Sequence, residues 1–135
     1  MNILVVEDDF ISRRLLCRYL EPFGDCDVAI NGTEAVDAVE SALGANAHYD
    51  LICLDIMMPG MSGQEALSKI RDREEKCGLS VGMGAKVVMT TSLEDHENIR
   101  QAFKASADGY VVKPIEKKKF LATLEEMGLE LELAT

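Results

Sequence analysis

The feature that most constrains this chain is a repeated alternation of two patterns. Five short apolar runs, "NILVV", "CDVAI", "DLICL", "KVVMT" and "GYVVK", recur along the 135 residues. Most are rich in β-branched residues and nearly continuous, the pattern of parallel strands covered on both faces. Between them lie stretches with helical period. Ile11, Leu15, Leu16, Tyr19 and Leu20 form one apolar face; a second helix is predicted from about Thr33 to Leu43, with Ala35, Val36 and Val39 inward. A third begins near Gly63 and presents Ala66, Leu67 and Ile70. A fourth uses Ile99, Ala102 and Phe103, and a fifth uses Phe120, Leu121 and Leu124 and stops at Gly128. The resulting order, βαβαβαβαβα, predicts an α/β fold with a five-stranded parallel sheet, five helices and right-handed crossovers. With no repeat or linker-like tract, we expect one domain over residues 1–128 and a C-terminal tail over 129–135. The closing segment from Gly128, "GLELELAT", is open to three readings: a frayed helix end, an added strand or a docking tail. The connection from 74 to 86 is long and glycine-bearing.

In such sheets the functional crevice lies at the carboxyl ends of the strands. The first strand ends in Glu7, Asp8 and Asp9, the third in Asp55, the fourth in Thr90, Thr91 and Ser92, and the fifth in Lys113 and Pro114. A parallel sheet brings all of these to one edge. Clustered carboxylates repel and raise one another's pKa unless a cation compensates them. Mg²⁺ suits this set, because it takes oxygen ligands and is commonly held by one or two carboxylates with waters and phosphate oxygens. An aspartate is also a competent nucleophile for phosphoryl transfer, which asks mainly for positioning and charge neutralisation. Asp55 stands alone at its strand end and is the candidate nucleophile; Glu7 and Asp8 are the candidate metal pair. Lys113 can pair with the carboxylate at rest and with a phosphoryl oxygen afterwards. Asp9 and Ser92 have a simpler reading as helix caps.

Composition narrows the partners. The net charge of −10 argues against nucleic acid and against an anionic membrane surface. No apolar run approaches the roughly 18 residues of a membrane span, and the chain enters "NILVV" without a leader-like segment, so a cytoplasmic protein is expected. The cysteines Cys17, Cys26, Cys53 and Cys77 form no CxxC pair and are read as reduced structural thiols. His48 and His96 have no paired ligand and are read as surface polar residues.

Four motifs, "ILVVEDD", "LICLDIMMPGMSG", "VVMTTS" and "GYVVKPI", together resemble the receiver domains of two-component response regulators, across essentially the whole chain. The resemblance implies a flavodoxin-like, doubly wound domain with strand order 2-1-3-4-5. It implies that Asp55 accepts the phosphoryl group. It also implies that Asp8 binds Mg²⁺ directly, that Glu7 acts through water, and that the Met57 backbone carbonyl is a further ligand. Thr91 is the implied switch hydroxyl, with Thr90 still in the strand; Lys113 pairs with the phosphoryl group, Tyr110 is the aromatic switch residue, and the Lys113–Pro114 peptide is cis. The implied donor is a histidine kinase or phosphotransfer protein. The implied output is a changed face, made of the fourth helix, fifth strand and fifth helix, that binds a downstream protein, with a phosphorylation-dependent dimer as an open alternative. Glu7 stands where the family pattern has Asp, and no effector domain follows the fifth helix, so a stand-alone phosphoprotein switch with no turnover substrate is expected. Met57 and Leu93, each two residues past a site residue, are apolar where a hydrolytic water would approach, which predicts a long-lived aspartyl phosphate.

Other classes are weaker. A flavodoxin-like cofactor binder would want a Ser/Thr/Gly-rich phosphate loop after the first strand, where this chain has "EDDF". A metal-dependent phosphatase would want a second acid near Asp55, where this chain has Ile56 and Met57. A receiver-fold protein-binding module not controlled by phosphorylation remains the alternative.

Overall fold

The computed structural model describes residues 1–79, 82–92 and 107–134. Five strands, β1 (Asn2–Val6), β2 (Asp25–Ala29), β3 (Leu51–Asp55), β4 (Lys86–Thr91) and β5 (Gly109–Val112), form one parallel sheet in the order β2-β1-β3-β4-β5. Four α-helices are described: α1 (Phe10–Leu20), α2 (Gly32–Gly44), α3 (Gly63–Lys76) and α4 (Lys117–Glu126). The last is the fifth helix expected from the sequence. The expected fourth, with Ile99, Ala102 and Phe103, lies outside the described residues, as do Leu93 and His96.

Strand alternation sorts the core into two layers. Leu4, Val6, Ile52, Leu54, Val87 and Met89 face α2 and α3, meeting Ala35, Val36, Val39, Ala66, Leu67 and Ile70. Ile3, Val5, Leu51, Cys53, Val88 and Val111 face the other side, meeting Leu16 and Leu20 of α1 and Phe120 and Leu124 of α4. The sheet is therefore doubly wound, and every residue of the central strand β3 is buried. Three of the four described helices, α1 to α3, begin where local chemistry supplies an acceptor. Asp9, Asn31 and Ser62 each cap by accepting from the backbone N–H three residues on. The chain leaves α4 through Gly128 at φ 95°, a left-handed conformation that glycine adopts without cost.

Two sequence expectations need correction. Ile11 is 75% exposed and Leu15 37% exposed, so the buried stripe of α1 is Leu16 and Leu20, flanked by Tyr19 and Cys17. The apolar face read from the sequence was wider than the one the sheet covers. Likewise β2 does not have two covered faces: it is an edge strand, and Val28 and the following Ile30 are exposed. The tail is neither helix nor strand. Leu129 and Leu131 pack against the α1/α4 layer, and the Ala134 N–H donates to the Pro22 carbonyl at 2.7 Å.

α3 runs to Lys76, so the long connection to β4 is shorter than its composition suggests, and a buried acid ties it down. Glu74 is 4% exposed; its carboxylate accepts from Arg71 and from the Ala85 N–H, both at 2.8 Å. Arg71 also donates to the Ala85 carbonyl and to Asp108, which accepts from the Val87 N–H. One guanidinium thus holds the end of α3, the start of β4 and the entry to β5. Replacing Glu74 by Ala removes the acceptor of the Ala85 N–H and one acceptor of the Arg71 guanidinium, and the expected loss is about 2–4 kcal/mol in urea unfolding. A loss within the error of the wild-type value would show that water replaces the carboxylate.

Candidate functional site

The parallel register delivers the predicted residues to the carboxyl edge of the sheet. Glu7 extends the ladder one residue past β1, its N–H donating to the Ala29 carbonyl at 3.0 Å. Asp55 closes β3 beside Thr90 of β4, and Lys113 follows β5, its N–H bonded to the Thr91 carbonyl at 2.7 Å. Backbone ladders, rather than flexible loops, therefore position three of the charged groups.

The Lys113 ammonium reaches back across this edge. Its Nζ lies 3.2 and 3.1 Å from Glu7 Oε1 and Oε2 and 3.2 Å from Asp55 Oδ2. Glu7 is 1% exposed and Asp55 4% exposed, while Asp8 is open to solvent. One carboxylate oxygen from each of Glu7, Asp8 and Asp55 lies within 4.8 Å of the others. Three carboxylates against one ammonium leave a deficit of positive charge. Burial, then the neighbouring Asp55 carboxylate, pushes Glu7 from the usual 4.5 up to about 7, and Lys113 only partly offsets this. Burial lowers the Lys113 pKa, but Asp55 and Glu7 together outweigh it and raise it. An oxygen-lined, negatively charged, half-open cluster of this kind fits a hard divalent cation, which removes the deficit directly.

The loop after β3 is shaped by contact. The Met57 N–H donates to Asp55 Oδ1 at 3.2 Å, and the Met57 side chain is exposed. Gly63 starts α3 so close to β3 that a Cβ there would collide with the Asp55 carbonyl and lie 2.8 Å from the Ile56 Cα. Met61 packs against Gly32, joining this loop to the start of α2. The Lys113–Pro114 peptide is cis.

Thr91 and Tyr110 belong to a different layer. Thr91 is buried at the end of β4, its hydroxyl donating to the Ser92 carbonyl at 3.3 Å. Tyr110 is paired in register with Met89, and both lie with the α2/α3 core. By alternation Thr91 shares that side with Tyr110, whereas Thr90 does not. Asp9 caps α1, as its residue type suggested.

One site residue escaped the sequence reading. Arg13 donates to the Glu7 carbonyl at 2.9 Å and to the Asp8 carbonyl at 3.4 Å, while its guanidinium lies 5.5 Å from the Phe10 ring. It fixes the backbone of the acidic loop. Its signal was an arginine about one turn into the helix that follows the acids, a spacing that aims it back at them.

The comparisons agree with this geometry. A family model described as the response regulator receiver domain matches residues 3–125. The transcriptional regulatory protein ResD of Bacillus subtilis is 36% identical over 127 residues, which are 93% of this chain and 47% of ResD. The chemotaxis protein CheY of Halobacterium salinarum is 34% identical over 127 residues, 93% of this chain and 95% of that protein. The chain thus spans about half the length of the first relative and nearly all of the second. A CheY-like receiver domain protein from Methanospirillum hungatei superposes with a TM-score of 0.72 at 27% identity, covering 93% of this chain and 90% of the other.

The raised Glu7 pKa has a sign that can be measured without metal. Its contribution to stability is fully present below about pH 4.5 and is lost as pH rises through about 7. In EDTA the thermal midpoint is expected to fall from about pH 5 to about pH 8, and Glu7→Gln to flatten that fall. Equal slopes for the two proteins would remove Glu7 as its source.

Proposed function

Because the chain belongs to the response regulator receiver family, we propose that it is a phosphorylation-controlled signalling switch whose acceptor is Asp55. Receivers are switches rather than turnover enzymes, and as a family they take phosphoryl groups from histidine kinases or phosphotransfer proteins. The observation that carries the assignment to this site is the Lys113 ammonium held between Glu7 and Asp55 at 3.1–3.2 Å, inside the acidic cluster. Asp55 is the nucleophile: its Oδ bonds to phosphorus as the bond from phosphorus to the donor's histidine nitrogen breaks. Lys113 then follows the new charge from carboxylate to phosphoryl oxygen, and the Thr91 hydroxyl turns toward another. Because Thr91 and Tyr110 share a layer, movement of one alters the packing of the other. The face made by the expected fourth helix, β5 and α4 (the fifth helix of that expectation) changes its populations with them, and a downstream protein, or a second copy of this chain, reads that change.

Asp8, Asp55 and the Met57 carbonyl would hold Mg²⁺, with Glu7 acting through water; the ion would neutralise charge on the transferring phosphoryl group. Residues 1–128 form the receiver on this reading, and 129–135 the tail. The apolar Met57 side chain offers nothing to orient a hydrolytic water, which favours a long-lived phosphoryl group. A phosphorylation-independent binding module is the second reading; the charge cluster disfavours it, since a purely structural edge gains nothing from buried, mutually repelling acids.

Incubation with acetyl phosphate and Mg²⁺, followed by a phosphate-affinity gel, should shift the wild-type band. EDTA and Asp55→Asn should each abolish the shift, by at least about a hundredfold in rate if the nucleophile is lost. A shift that persists in Asp55→Asn would move the acceptor elsewhere. Met57→Asn should shorten the lifetime of the shifted band several-fold, and an unchanged lifetime would exclude Met57 as its determinant.

A further inference from the structure

Among the described residues, one buried side-chain polar atom has no hydrogen-bond partner: the Thr90 hydroxyl. The residue is 1% exposed, in the strand beside the acceptor. Buried orphans of this kind are rare and call for a reason. Strand propensity supplies none, since valine has the same shape, suits a strand equally and would leave no hydroxyl unpaired.

Position suggests one. The β3–β4 register sets Asp55 beside Thr90, and the β4–β5 register sets Thr90 beside Val111, two residues before Lys113. Val88 and Val111 lie in the α1/α4 layer, as does Cys53, two residues before Asp55. By alternation, Thr90 and Asp55 therefore project to the same side of adjacent strands, about 4.8 Å apart. The hydroxyl can change its direction along this side of the strand by rotation about the Thr90 Cα–Cβ bond. At rest the carboxylate oxygens are already engaged, Oδ1 by the Met57 N–H and Oδ2 by Lys113. Resting Asp55 does not need Thr90.

Phosphorylation changes that count. On the reading of Asp55 as acceptor, on which this inference rests, Lys113 is drawn to the phosphoryl oxygens and releases its carboxyl oxygen. We propose that the Thr90 hydroxyl then donates to the Asp55 carboxyl group in place of Lys113. The bond matters most when the phosphoryl group leaves. In hydrolysis the oxygen of water bonds to phosphorus while the bond from phosphorus to the Asp55 oxygen breaks. The bonding pair returns to Asp55 as a carboxylate, and both hydrogens of the water depart on dihydrogen phosphate. A donor aimed at the carboxyl group stabilises the charge developing there. Thr90 thus accelerates loss of the signal, in opposition to Met57.

The test compares wild type, Thr90→Val and Thr90→Ser after phosphorylation by acetyl phosphate with Mg²⁺. Thr90→Val should lose its phosphoryl group about three- to tenfold more slowly, and Thr90→Ser should match wild type. In infrared difference spectra of the phosphorylated against the unphosphorylated protein, the acyl carbonyl band should move to higher frequency in Thr90→Val and return in Thr90→Ser. The thermal midpoint of metal-free Thr90→Val should equal or exceed that of wild type, which separates these effects from misfolding. Wild-type decay and an unmoved band in Thr90→Val would overturn the role of Thr90 while leaving Asp55 as acceptor. Wild-type protein that takes up no phosphoryl group would overturn both.

Discussion

The contact between the Lys113 ammonium and the Glu7 and Asp55 carboxylates is the constraint on which the site depends. It links the ends of three strands that are far apart in sequence, and it lies where burial makes charge expensive. The register of the sheet brings the three groups to one edge. The ladder places the charges, and the charges in turn link the strand ends that the ladder has aligned.

The compensation is deliberately incomplete. Even a second lysine at this edge would leave one carboxylate uncompensated. One ammonium among three acids leaves a site that gains from binding positive charge. The same reasoning explains why the surrounding backbone is so firmly held. Arg13 grips the carbonyls of the acidic loop, Met57 donates to Asp55, and Gly63 lets α3 begin directly against β3.

Much of this was legible in the sequence, because the informative quantities are local. Nearly continuous apolar runs announced the parallel strands, and residues at the ends of the first, third and fifth runs meet in the charge cluster. The errors share a cause, which is that neighbours are not written in a single sequence. Nothing local in "CDVAI" says that β2 is an edge strand, or that α1 overhangs the sheet so that Ile11 meets solvent. Thr90 was passed over for the same reason. In sequence it is one of two adjacent threonines, and only the alternation of β4 between two helix layers distinguishes a hydroxyl on the side of Asp55 from one on the side of Tyr110. Arg13 and the Glu74–Arg71 clamp depend on long side chains reaching across loops, a distance that residue spacing does not encode.

The docked tail has a practical consequence for handling this molecule. Leu129 and Leu131 carry the chain away from α4 and over the α1/α4 layer, and Ala134 is hydrogen-bonded to the turn that follows α1. That turn lies at the amino edge of the sheet, opposite the acidic cluster. A fluorophore or surface tether attached beyond Ala134 would emerge there, leaving the acidic end of the sheet facing the solution for biosensor or single-molecule work.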